Sequence, residues 1–150
     1  MQRGIDREWT EMNSNDDNMS DLNSDDHEIT HPIVGCAMRV MNALGHGFHE
    51  KIYENALCVE MQAESIPFEQ QPRFPIYYRQ VMVGEYVPDL IVMGRVVVDT
   101  KTIEHVGDNE VGRMLNYLRS TGLEVGLIIN FKRARLEWRH VWRKTDTNRE

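Results

Sequence analysis

Three valines in a row, Val96-Val97-Val98, run directly into Asp99-Thr100-Lys101. Successive strand residues face opposite sides of a sheet, so an unbroken apolar run implies a strand covered on both faces. Such a strand lies inside a sheet that other layers cover on both sides. An ionised carboxylate at the end of that run is costly unless it is paired or binds a cation. Lys101, two residues on, shares the face of Asp99.

The remaining periodicities supply the partners. Ile33, Val34, Ala37, Met38, Val40, Met41 and Leu44 recur at helical spacing. Thr30 is the expected cap, and Pro32 is expected in the first turn. After Gly45-His46-Gly47, a second helix is expected over about 49–64, with Ile52, Tyr53, Ala56, Leu57 and Met61 inward. From Phe74 the period becomes two. Strands are expected over 74–79, 81–92 and 95–102, with turns at Arg79-Gln80 and Met93-Gly94. Asp108 is the expected cap of a helix over about 109–120, stopped by Thr121-Gly122. Leu123 to Phe131 and Arg135 to Trp142 read as two more strands. The order is α-α-β-β-β-α-β-β, an α/β fold with a mixed sheet.

The charge is unevenly spread. Residues 1–30 hold nine acids against two bases, which accounts for the whole formal charge of −7; the remaining 120 residues hold 15 of each. The acidity therefore does not argue against a polyanionic ligand for the domain. Residues 1–30 are expected to be a disordered acidic tail, because they lack the apolar side chains to offset ordering entropy. The tail reads as a charge mimic guarding a basic groove, as a solvated leader, or as an overcalled start with Met12 or Met19 as the true first residue. The domain is expected over 31–142, and 143–150 as a flexible C-terminal tail. No apolar run approaches the roughly 20 residues of a membrane helix. The N-terminus does not resemble a secretory signal. A cytoplasmic setting and no membrane partner are the expectations. Cys36 and Cys58 have no Cys or His at metal-ligand spacing, so both are expected as buried thiols.

Asp99 and Lys101 suit phosphodiester hydrolysis, the carboxylate holding Mg²⁺ and the lysine stabilising developing negative charge. Asp89, after Pro88, can join them on one condition. A two-residue loop would pair Val92 with Arg95 and turn Asp89 to the wrong face. A three-residue loop pairing Val92 with Val96 sets Asp89 opposite Asp99. A bulge near Pro88 would do the same. Glu50 is either a third acid or a carboxylate complementing a helix dipole. The bland alternative for Asp89, Asp99 and Lys101 is an ion-pair ladder on a hairpin surface. Lys132, Arg133, Arg135, Arg139, Arg143 and Lys144 form a basic end that either tracks a nucleic-acid backbone or merely solvates a sheet edge. Trp138 and Trp142 suit core packing or base stacking. His46, His49 and His105 flank the site as surface residues or proton-transfer aids.

These motifs together resemble the GxxExxY proteins, a bacterial group within the PD-(D/E)XK nuclease-like superfamily. Gly47, Glu50 and Tyr53 match the naming motif, Pro88-Asp89 matches PD, and Asp99-Thr100-Lys101 matches (D/E)XK, with Asp where the group more often has Glu. Leu115-Asn116-Tyr117-Leu118 and Gly126 to Phe131 also look like group hallmarks, and the resemblance spans about residues 31–142. It implies a restriction-endonuclease-like core, with Glu50, Asp89 and Asp99 as ligands of Mg²⁺ (or Mn²⁺) and Lys101 as catalytic lysine. Nucleic acid is the implied substrate. Related nucleases often carry Gln-x-x-x-Tyr on the following helix; here Arg113 replaces Gln ahead of Tyr117, and both are expected to orient phosphate. A non-catalytic nucleic-acid- or protein-binding module on the same fold is the competing expectation, and the final strand offers an edge for a homodimer.

Overall fold

The computed structural model describes residues 24–143. The expected tails fall outside it up to residue 23 and from residue 144.

The first helix, α1 (Ser24–Leu44), starts six residues before the expected cap and carries Pro32 in its interior. The missing Pro32 N–H costs one helical bond. Burial of Thr30, Ile33, Val34 and Ala37 on the sheet offsets it. Thr30 is no cap; its hydroxyl shares a buried 2.9 Å hydrogen bond with His140 Nε2. Helix α2 (Glu50–Ala63) follows, burying Tyr53, Leu57, Cys58 and Met61. Ile52, expected inward, sits one position off this stripe and is exposed, as is Leu44 at the end of α1.

Among the described residues there are seven strands in place of the expected five. Strand β1 (Phe68–Gln70) is only three residues long, too short to leave a periodic signal. Strands β2 (Phe74–Tyr78) and β3 (Val81–Tyr86) form a two-stranded sheet of their own. The strand expected over 81–92 breaks at Val87-Pro88-Asp89, because Pro88 has no N–H for a ladder. It resumes as β4 (Leu90–Val92), which pairs with β5 (Val96–Lys101). Helix α3 (Asp108–Thr121) leads to β6 (Val125–Asn130), and β7 (Glu137–Trp142) closes the chain. The main sheet runs β1-β4-β5-β6-β7, with β5 and β6 parallel and the other neighbours antiparallel.

Alternation along β5 builds two cores. Val96 and Val98 join Ile33, Met38, Leu57 and Tyr53 under α1 and α2. Val97 joins Met114, Leu118 and Ile128 under α3. Asp99 and Lys101 share the parity of Val97, so they belong to the α3 face, at the carboxyl ends of the two parallel strands. Open α/β sheets bind ligands at such strand ends. Among the described residues no helix is long and apolar enough to cross a membrane.

Helix α3 lies close on β6 because position 126 lacks a side chain. A Cβ there would meet Met114 Cγ and Sδ at 2.6 Å. Gly126→Val is expected to destabilise the protein by about 1–3 kcal/mol through overpacking. Urea denaturation checks this, with a lower midpoint at unchanged m-value.

Candidate active site

The site starts from a turn. Met93 and Gly94 both adopt positive φ (55° and 64°), and the Arg95 N–H closes back on the Val92 carbonyl at 3.0 Å. Strand pairing then opens with Val92 opposite Val96 and reaches Leu90 opposite Val98. One step further sets Asp89 opposite Asp99, the register that a three-residue loop demands. The Asp89 N–H lies 3.4 Å from Asp99 Oδ1. Asp89 Oδ2 accepts the Thr100 N–H at 2.7 Å and the Thr100 hydroxyl at 2.8 Å.

Asp99 is only 8% exposed. Burial raises its pKa, opposed by the Lys101 ammonium and by donation from the Asp89 N–H and the Tyr86 hydroxyl. The Asp89 carboxyl is pushed up to about 7, chiefly by burial and further by the Asp99 charge, against the two bonds from Thr100. Two acids side by side in a half-dry strand end, with one lysine beside them, make a concentration of negative charge that a hard cation would relieve.

Glu50 arrives by a separate route. Gly47 adopts φ 111°, in the left-handed region that suits glycine, and lets the chain turn into α2 so that Glu50 is its first residue. Tyr53 pins the turn: its hydroxyl donates to the Gly45 carbonyl at 2.6 Å and accepts the Phe48 N–H at 3.1 Å. Its ring stacks on Phe131 at 4.6 Å. Every position of the motif is thus used locally. Gly47 turns the chain, Glu50 opens the helix, and Tyr53 locks the turn to the sheet. After burial, the Glu50 charge adds a little to the rise of the Asp99 pKa. Among the described residues, however, no three His, Cys, Asp or Glu side chains come together as a metal-holding group. The expected trio of Glu50, Asp89 and Asp99 is not gathered into one such group, and one Asp89 oxygen is bonded to Thr100. The acids still fit a divalent ion in kind. Mg²⁺ takes oxygen donors and is commonly bound through one or two carboxylates and water.

Helix α3 supplies the far wall. Tyr117 stacks on Tyr86 at 3.6 Å, and the Asp99 charge, after burial, raises its pKa. Arg113 is exposed one turn earlier on the same helix. Asp108 is not the cap of α3 but its first residue; the cap position is Gly107, whose N–H donates to Glu110 Oε1 at 2.7 Å.

Two residues near the site were not singled out from the sequence. Glu54, 3% exposed, accepts Lys51 at 2.8 Å and Gln70 at 2.7 Å, and its charge adds to the rise at Asp89. Its signal was an acid at helical spacing with the inward Leu57 and Met61. Tyr86, whose hydroxyl lies 3.4 Å from Asp99 Oδ1, left no signal beyond its place at a strand end. Other flanking expectations resolve differently. Trp138 is buried in the core and offers no face to a base. Lys132 and Arg133 pair with Glu104 at 3.7 and 3.4 Å. His105 pairs with Glu137 at 3.2 Å, while His46 and His49 are exposed. Cys36 and Cys58 are buried thiols, each pushed up to about 11 chiefly by burial.

A family model described as the PD-(D/E)XK nuclease superfamily matches residues 27–141, most of the chain. No curated protein and no solved structure matches it.

The raised Asp89 pKa has a thermodynamic consequence. A carboxyl whose pKa is higher folded than unfolded binds its proton more tightly in the native state. Metal-free stability therefore falls as pH rises from about 4 to about 7, and the whole penalty applies above that. Asp89→Asn keeps an acceptor for Thr100 and removes the charge. It is expected to raise metal-free stability by about 1–3 kcal/mol at pH 8 and to change it little at pH 4, measured by thermal unfolding in chelator.

Proposed function

Because the chain belongs to the PD-(D/E)XK nuclease superfamily, we propose that it is a divalent-metal-dependent nuclease hydrolysing phosphodiester bonds in nucleic acid. The observation that carries this is Asp99, a carboxylate 8% exposed at the end of a central strand, with Asp89 opposite and Lys101 on its own face. Asp89 and Asp99 would hold Mg²⁺ (or Mn²⁺), with Glu50 as the third acid. When bound, the ion supplies Lewis-acid polarisation of the phosphate and a more acidic bound water. The Lys101 ammonium offsets the negative charge that develops as water oxygen bonds to phosphorus and the ester P–O bond breaks. Arg113 and Tyr117 stand on α3 where they can orient the phosphate, Arg113 through its planar fork. Tyr86, stacked on Tyr117, buttresses that wall. The narrower GxxExxY grouping rests on Gly47, Glu50 and Tyr53, and pairing of two copies would use the outer backbone edge of β7.

A second reading, a non-catalytic binding module, is favoured by one observation: an Asp89 oxygen is already committed to Thr100. Cleavage of single- and double-stranded DNA and RNA in Mg²⁺ or Mn²⁺, with calorimetric metal titration, separates the two. Lys101→Ala is expected to lower cleavage about 100-fold or more while keeping metal binding. Asp99→Ala is expected to lose both. Arg113→Ala is expected to raise KM more than it lowers kcat. Cleavage that survives both Lys101→Ala and Asp99→Ala would sink the assignment. A wild-type chain that neither cleaves nor binds metal is the binding module.

A further inference from the structure

Lys101, Asn130 and Glu137 stand in one row across three neighbouring strands, as direct partners in the β5–β6 and β6–β7 ladders. Asn130 is 3% exposed, a polar residue ending a strand of otherwise apolar Val, Leu and Ile around Gly126. Its side chain grips the loop that follows Lys101. Oδ1 accepts the Ile103 N–H at 3.0 Å, while Nδ2 donates to the Ile103 carbonyl at 2.8 Å. The amide thus imitates a strand partner for a residue beyond the end of β5. Nδ2 also donates to Glu137 Oε1 at 2.9 Å, and Oδ1 accepts the Lys132 N–H at 3.3 Å. Both donors and both lone pairs are used, which fixes the amide's orientation.

Glu137 extends the grip, accepting the Val106 N–H at 3.4 Å and pairing with His105 at 3.2 Å. The loop is held at 103, 105 and 106. Lys101 lies two residues before the first anchor, and α3 begins two residues after the last. The same clamp therefore sets the lysine on one side and, through α3, Arg113 and Tyr117 on the other.

We infer that Asn130 is a positioning residue of the active site, holding Lys101 and the first turn of α3 in fixed relation through its reciprocal bonds to Ile103. This rests on the nuclease reading for its kinetic consequence and not for its structural one. Only an amide fits. Aspartate at 130 has the same shape but would set a carboxylate against the Ile103 carbonyl and Glu137.

The test compares wild type, Asn130→Asp, Asn130→Ala and Glu137→Ala as full-length proteins. The readouts are kcat and KM per metal-binding site, residue-resolved amide hydrogen exchange, and the Lys101 and Tyr117 amide resonances. Both Asn130 variants are expected to lower kcat about 10- to 100-fold with KM within about twofold, since small displacements of catalytic groups cost turnover. Exchange should accelerate at 103–107 while the core strands stay protected. Glu137→Ala should show the same pattern more weakly. Wild-type kcat in a folded Asn130 variant overturns the inference, as does unchanged exchange at 103–107. If neither Asn130 variant folds, Glu137→Ala decides, and unchanged kcat and exchange there overturn it. If the wild type does not cleave, the nuclease reading fails; exchange and the Lys101 resonance then decide the clamp alone.

Discussion

The pairing of Val92 with Val96 governs the rest of the site. Side chains alternate strictly along a strand, so a slip of one residue would send Asp89 to the opposite face. Two residues at positive φ, Met93 and Gly94, make the turn that sets this register. Glycine adopts such a conformation freely, and Met93 does so at some steric cost. The register also sends Val96 and Val98 under α1 and α2, and Val97 under α3. The core and the acidic pair therefore depend on the same hairpin, and neither can shift without the other.

Around that hairpin several polar side chains bond backbone groups. Tyr53 closes the turn before α2, Asp89 accepts the Thr100 N–H, Glu110 starts α3 and Asn130 ties down the loop between. Each satisfies a backbone group at the end of a strand or helix, where regular structure leaves donors and acceptors unpaired. These ends are also where Glu50, Asp89, Lys101 and the approach to Arg113 lie.

Charge tells the same story from the other side. Asp99 is buried at the end of the apolar run that makes β5 a central strand, and Asp89 adds a second acid against it. Lys101 offsets only part of that charge. A fold that keeps two acids in so dry a place bears an electrostatic cost wherever both are ionised.

From the sequence alone, the valine run determined a sheet covered on both faces, and helical spacing determined the three helices that cover it. The offset of Asp99 from Lys101 determined their common face. Those are local properties, set by the period of a strand or helix. Tertiary structure decided the rest. Pro88 divided one long strand in two, because its missing N–H matters only where a ladder would need it. Helix α1 ran through Pro32 because core burial outweighs one lost bond. Trp138 went inward, and Glu54, Tyr86 and Asn130 acquired partners 13 to 27 residues away. Asp89 met Asp99 only through a turn whose length depends on backbone angles that no residue spacing reveals.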